Sequence, residues 1–219
     1  MQKTSQQLQA VFCTEAQLPS VVDQLYQFRK KLFVDALRWD LRVEHGRERD
    51  QFDTDTAVHC AIFRDGSLFA GFRAIRTDRP YLAESVFPQL ATFAAYPRRH
   101  DAWEISRFGV APSQAGSTTA KVLYSLMFHF ARTRQASALV ALTDLRHERF
   151  LTQIGVRTRR YGPPQVLGLD EKGDPLVLVA GDIPVATQDG WRFDNLLNLA
   201  KTVEIDDETL VLGSERLSA

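Results

Sequence analysis

Cysteine is scarce in this chain: only Cys13 and Cys60 occur among 219 residues, far apart and in apolar surroundings. That excludes a disulfide framework and any C-x-x-C zinc or redox motif, and the expected compartment is the reducing cytoplasm. Net charge is absent too, with 27 Lys and Arg against 27 Asp and Glu, so global charge selects no partner. No apolar run approaches a membrane span, and the opening MQKTSQQLQAVFCTEAQ lacks the apolar core of a signal peptide. Neither G-x-G-x-x-G nor G-x-x-x-x-G-K-[ST] is found, which removes both common nucleotide-phosphate loops. There is no G-x-S-x-G elbow of a serine hydrolase. Five histidines show no ligand spacing, so no metal is expected. The basic residues carry no nucleic-acid-reading motif.

What is present suits one globular domain with a real core. Hydrophobic residues make up 44% and charged residues 25%, and a single domain over 1–219 is expected, with 203–219 as a loosely attached acidic tail. Charge is uneven along the chain. Residues 121–160 hold eight basic side chains (Lys121, Arg132, Arg134, Arg146, Arg149, Arg157, Arg159, Arg160) against two acidic ones, whereas 161–219 hold four against eleven. A basic middle of this kind attracts an acidic or phosphate-bearing partner. For most of these arginines individually, solvating a helix face or strand edge is the simpler role.

The pattern predicts a first strand at 7–13 and a helix from Pro19-Ser20 to about Leu37, its apolar residues at helical spacing. A charged connection without periodicity fills 40–56, long enough to suggest function. Strands at 57–64 and 67–77 flank Asp65-Gly66, a strong hairpin signal. A short helix is expected at 83–90, a turn at 97–100, a strand at 103–112 and a helix from Ser113 through Phe130. Then follow a buried strand at 138–143, a helix at 145–154 stopped by Gly155, strands at 165–169 and 175–180, and a helix at 192–201. This order describes an α/β (α+β) domain with a hairpin-built, mixed central sheet flanked by helices, not a doubly wound parallel sheet.

Charges interrupt this pattern in two strands and one loop. Arg73 breaks the apolar run AGFRAI, and Glu104 and Arg107 break WEISRF. Between Asp40 and Asp55 stand six carboxylates and three arginines, preceded by Phe33 and Trp39. Arg29 and Phe33, four apart, share one helix face. Strand alternation sets Glu104 and Arg107 on opposite faces unless a bulge intervenes. Buried charges need partners, and Asp50 and Asp53 are the expected ones for Arg73 or Arg107. An ion-pair network that simply ties the 40–56 loop to the sheet accounts for at least half of these residues.

In order and spacing, F-R-x-x-x-F-x-x-x-x-x-W, E-x-D-x-F-D, G-x-R and W-E-x-S-R-F-x-V resemble the acyl-homoserine-lactone synthase (autoinducer synthase) family. The positions are Arg29, Phe33, Trp39, Asp50, Asp53, Arg73, Glu104 and Arg107, with Trp103, Ser106 and Phe108 completing the last motif. The resemblance covers about residues 25–110 well, the next helix–strand–helix in outline, and the C-terminal quarter little. It implies a GNAT-type acyltransferase fold in one domain. It also implies synthesis of N-acyl-homoserine lactone for quorum sensing from S-adenosylmethionine, as substrate rather than cofactor, and an acyl thioester. The amine attacks the thioester, the methionyl carboxylate closes the lactone, and methylthioadenosine leaves.

On that reading Glu104, Arg107 and Ser106 belong to the catalytic strand. Glu104 is the candidate for proton removal or electrostatic positioning, and backbone N–H groups near 106–109 are the oxyanion donors. Arg29, Phe33, Trp39, Asp50, Asp53, Arg73, Trp103 and Phe108 line the S-adenosylmethionine pocket. Phe33 and Trp39 supply an aromatic wall for the sulfonium and adenine, while Arg29 and Arg107 hold the substrate carboxylate or organise Asp50 and Asp53. Leu123, Met127, Val140, Leu142 and Thr143 are acyl-chain candidates, although core packing explains most of them. Thr143 either bonds a 3-oxo group or caps the next helix.

The stretch Gln114–Lys121 has its only glycine at Gly116, out of place for the pyrophosphate loop of acyl-coenzyme A enzymes. Acyl carrier protein is therefore the favoured donor over a coenzyme A thioester, with the basic 121–160 segment as its dock. A generic N-acyltransferase using another amine, and a non-catalytic ligand-binding relative, are the alternatives.

Overall fold

The computed structural model describes residues 7–169 and 173–210. Strand β1 (Leu8–Cys13) leads into helix α1 (Pro19–Arg29), which starts on proline, the residue whose missing N–H costs nothing there. Val22, Leu25, Tyr26, Phe28 and Arg29 form its buried face. The sequence predicts one α-helix to Leu37, but at Lys30 the coil widens into a π-helical segment, Lys30–Ala36. The amide of Leu37 bonds Leu32 O, five residues back, and that of Trp39 bonds Phe33 O. Arg38, at φ 58°, ends the segment in the left-handed region.

The 40–56 connection holds a small hairpin that periodicity did not reveal, β2 (Val43–Glu44) with β3 (Arg47–Glu48). His45 and Gly46 both have positive φ, as a type I′ turn requires. Asp65 and Gly66 repeat that geometry between β4 (Val58–Arg64) and β5 (Ser67–Arg76), as expected of the hairpin. Next come the short helix α2 (Leu82–Val86), β6 (Ala102–Val110), α3 (Ser117–Thr133), β7 (Ala138–Asp144) and α4 (Leu145–Gln153). The chain continues with β8 (Arg159–Arg160), β9 (Gln165–Leu169), β10 (Pro175–Pro184), α5 (Trp191–Asn198) and β11 (Glu204–Asp207).

Hydrogen bonding orders the strands β11-β1-β4-β5-β6-β7-β10-β8, with β9 also on β10. Antiparallel and parallel pairs are mixed: β1 runs antiparallel to β4 and parallel to β11, while β6 runs parallel to β7 and β10 antiparallel to β7. The mixed α/β class read from element order is the class observed. The acidic end needs correction, because Glu204–Asp207 pairs in register with Gln9–Phe12. Gln7 and Gln9 donate to Glu204 and Asp206, so acidic residues serve as a strand edge. The rest of that expected tail, 211–219, lies outside the described residues.

Contacts gather into two compact units. The first comprises Met1–Arg73, Arg107–Leu123 and Leu199–Ala219; the second comprises Ala74–Ser106 and Tyr124–Asn198. In the first, α1 and the π segment bury Val22, Leu25, Tyr26, Phe28, Leu32 and Phe33 against Val11, Cys13, Ala61 and Phe63. In the second, Trp103 packs edge-on to Phe130 of α3, and Phe128 packs edge-on to Phe193 of α5. Both cysteines are buried and neither is in a disulfide, and burial pushes the Cys13 thiol up to about 12. Among the described residues no helix is long and apolar enough to cross a membrane.

Candidate active site

Three arginines and three carboxylates from separate stretches meet inside the first unit. Arg29, the last residue of α1, donates through Nε to Glu48 at 2.6 Å and through both terminal nitrogens to Asp53 at 2.7 and 2.8 Å. Arg73 of β5 donates to Asp50 at 2.5 Å and approaches Asp53 at 2.9 Å. Arg107 of β6 reaches Glu48 at 2.8 Å and Asp50 at 2.7 Å. Paired guanidinium and carboxylate forks satisfy one another in a space where an unpaired ion would be prohibitive. Burial alone would raise the Asp53 carboxyl, yet Arg29 and Arg73 hold it well below the ordinary range. Glu48 shows the same balance, with Arg107 and Arg29 outweighing burial. His59 lies in the field of Asp53 and these arginines, edge-on to Tyr26, and burial pushes its pKa down to about 3.

A bulge brings Arg107 into this group. Thr77 N bonds Ala102 O at one end of the β5–β6 pair, and Ala111 N bonds Phe69 O at the other. Between those rungs β6 takes nine steps and β5 eight. The extra residue coincides with Arg107 at φ 52°, a left-handed conformation that re-aims the side chain. All three guanidinium nitrogens of Arg29 are engaged. Arg107 Nη1 has no hydrogen-bond partner among the described residues, so one donor of the network stays open.

Also in the first unit, Trp39 stacks on Phe33 with centroids 4.9 Å apart and 24° between planes. Phe33 is buried, but Trp39 remains 48% exposed, an aromatic face supported from beneath. Phe108 is stacked on Phe72 at 6.1 Å and serves the packing of the sheet.

Glu104 has a different surrounding, in the second unit. Its oxygens accept the backbone amides of Ala83 at 2.6 Å and Leu82 at 3.1 Å, at the start of α2. These two bonds tie the carboxylate to the first residues of α2. The register Trp103↔Leu139 and Glu104↔Val140 sets Trp103, Leu139, Ala141 and Thr143 on one face of the strands and Glu104, Val140 and Leu142 on the other. Trp103, assigned from sequence to the S-adenosylmethionine pocket, is a packing residue against Phe130. Ser106 is buried on the same strand.

The acyl-chain candidates separate likewise. Leu123, Met127 and Val140 are solid core, and only Leu142 and Thr143 are half-buried. Thr143 and Ala141 line a shallow recess of about 30 Å³, open to solvent, with Leu151, Val179 and Ile183 as apolar walls and the Arg160–Glu148 ion pair at its rim. Thr143 is not the cap of α4; Asp144 is, accepting the His147 amide at 2.7 Å.

Sequence reasoning passed over Glu48, which is fully buried and joins Arg29 to Arg107. Its signal was the first letter of E-x-D-x-F-D. Among the described residues no group of three or more His, Cys, Asp or Glu side chains forms a metal site; here guanidinium groups take the carboxylates.

The autoinducer synthase family model matches residues 14–173. The acyl-homoserine-lactone synthase of Acinetobacter nosocomialis is 35% identical over 150 residues, 64% of this chain and 82% of that protein. A structure of TofI in a ternary complex with an inhibitor and MTA superposes with a TM-score of 0.70 at 30% identity, covering 88% of this chain and 100% of that one. That of BjaI, a CoA-dependent acyl-homoserine lactone synthase with SAM and isopentyl-CoA, gives a TM-score of 0.81 at 19% identity over 96% and 99% of the two chains, a likeness of fold. With the matched motifs and the fold in agreement, this chain belongs to the autoinducer synthase family, the acyl-homoserine-lactone synthases.

Proposed function

We propose that this acyltransferase makes N-acyl-homoserine lactone from S-adenosylmethionine and an acyl thioester carried on acyl carrier protein, releasing methylthioadenosine. The observation that carries the reading is the open Nη1 of Arg107 on an otherwise closed network. A cation held rigidly by Glu48 and Asp50 is a receptor for a carboxylate, and the methionyl carboxylate is the one this reaction must position. Arg29, Asp53 and Arg73 hold that receptor rather than touch substrate. The exposed face of Trp39, backed by Phe33, suits the sulfonium and adenine through cation–π and stacking contacts. The complex of the relative TofI with MTA supports a site for the adenosyl product.

The reaction runs in two displacements. The α-amine, freed of its proton, attacks the thioester carbonyl, and the tetrahedral oxyanion is met by backbone N–H groups at the 106–109 bulge, where Ser106 leads into Arg107. Its collapse breaks the C–S bond, releases the carrier protein's thiol and leaves the amide. Glu104, bound to two amides, takes the electrostatic and positioning role, and the amine's proton passes to water. The carboxylate held by Arg107 then attacks its own γ-carbon and expels methylthioadenosine. The acyl chain is assigned to the Thr143 recess, and Thr143→Val should impair 3-oxo donors more than unsubstituted ones.

Two features favour a carrier-protein donor. Gly116, the only glycine of the Gln114–Lys121 stretch, stands in open space and out of place for a pyrophosphate loop. Arg132, Arg146 and Arg149 are exposed and have no ion-pair partner among the described residues, which suits an acidic surface. Arg134, by contrast, lies over the Phe130 ring at 4.0 Å. The test is methylthioadenosine release from S-adenosylmethionine with matched acyl-carrier-protein and acyl-coenzyme A donors. Higher kcat/KM with the carrier protein is expected. Preference for coenzyme A overturns the donor, and no release with either overturns the reaction.

A further inference from the structure

The aromatic wall rests on a residue with no side chain. Gly109 lies on β6, two residues beyond Arg107, where the π-helical segment crosses the strand. A Cβ placed there would overlap Leu32 Cδ2 and come within 3.3 Å of Phe33 Cζ and 3.6 Å of Cε1. Backbone conformation does not demand glycine, since Gly109 is not among the residues with positive φ. Space does. Leu32 has little room to yield, being buried in the cluster that includes Val22, Leu25, Phe28 and Phe63. Any push from the strand therefore passes to the Phe33 ring and to Trp39, which stacks on it and whose amide bonds the Phe33 carbonyl at 2.9 Å.

We propose that Gly109 is a positioning residue for S-adenosylmethionine: its missing Cβ seats the Phe33–Trp39 stack against β6 and so sets the height of the wall that receives the adenosyl group. This rests on the reading of Phe33 and Trp39 given above. It explains why one side of the helix widens where it does. The π turns bring the consecutive Leu32 and Phe33 side chains onto one point of the strand, which a regular α-helix separates by a larger angle.

Steady-state kinetics of Gly109→Ala, Trp39→Ala and the double variant provide the test. Gly109→Ala should raise KM for S-adenosylmethionine about tenfold, the scale of forcing a methyl group into a packed site, with KM for the acyl donor and kcat at saturation little changed. In the Trp39→Ala background the same substitution should add almost nothing, because the displaced stack is already gone. Leu32→Ala, which clears the overlapping atom, should restore KM in Gly109→Ala. If Gly109→Ala does not fold, Leu32→Ala/Gly109→Ala compared with Leu32→Ala carries the test, and matching KM values are expected. An unchanged KM in folded Gly109→Ala, or a full effect persisting without Trp39, overturns the proposal and leaves the wall intact. An unchanged KM in Trp39→Ala itself overturns the wall, and this inference with it.

Discussion

Two buried charge sites, one in each unit, are held by different means. In the first, Arg29, Arg73 and Arg107 are neutralised by Glu48, Asp50 and Asp53, ion against ion. In the second, Glu104 is buried as deeply and accepts the amides of Leu82 and Ala83. An ion network fails as a whole when one member is lost, because the partners stay behind charged and dry. Amides deprived of an acceptor are neutral and cost less. The first arrangement therefore suits a rigid receptor, and the second suits holding a short helix in place.

Removing one acid from each unit tests that contrast most strongly. Asp53→Ala takes one carboxylate from Arg29 and Arg73, which keep Glu48 and Asp50, and should cost about 3–5 kcal/mol, enough to unfold a marginal domain. Glu104→Ala should cost about 1–3 kcal/mol in the same urea titration, the price of two unsatisfied amides. Equal losses would erase the distinction.

Titration sharpens it further. His59 stays neutral in the folded first unit down to about pH 3, whereas the unfolded chain takes up a proton below its ordinary value of 6.5. The unfolded state then binds more protons, so stability is full above that pH and declines as pH falls toward 3. Glu48 and Asp53, held low by arginines, add their loss only below their unfolded values of 4.5 and 3.8. Unfolding free energy measured between pH 6.5 and 5 should slope with pH in the parent and lie flat in His59→Gln. A slope surviving in the variant would assign it to other groups.

The smallest effect belongs to the exposed arginines. Arg132→Glu should change stability by less than about 0.5 kcal/mol, as surface substitutions do. It should raise KM for acyl carrier protein more than KM for S-adenosylmethionine. An equal change in both removes Arg132 from the docking surface.

Much of the fold was legible because local signals were strong and agreed with tertiary packing. Asp65-Gly66 marked its hairpin, Gly155 at φ 87° follows α4, and the apolar stripe of α3 is buried. Other features carried no local signature. Nothing in Lys30–Ala36 distinguishes π from α winding, and the two-residue strands β2 and β3 are too short for periodicity to register. β11 was hidden because its acidic residues resemble a solvated tail until Gln7 and Gln9 supply partners.

The site divides along the same line. By itself the sequence marked Arg73, Glu104 and Arg107 as ions in need of partners, since charges inside apolar strands require them, and its motif spacing identified the family. Only the tertiary structure decided who pairs with whom. Strand alternation sets Glu104 and Arg107 apart, and one extra residue in β6 turns Arg107 toward Glu48 and Asp50 while Glu104 goes to the α2 amides. Such choices depend on which distant backbones arrive at the same place, and spacing along one chain does not encode that.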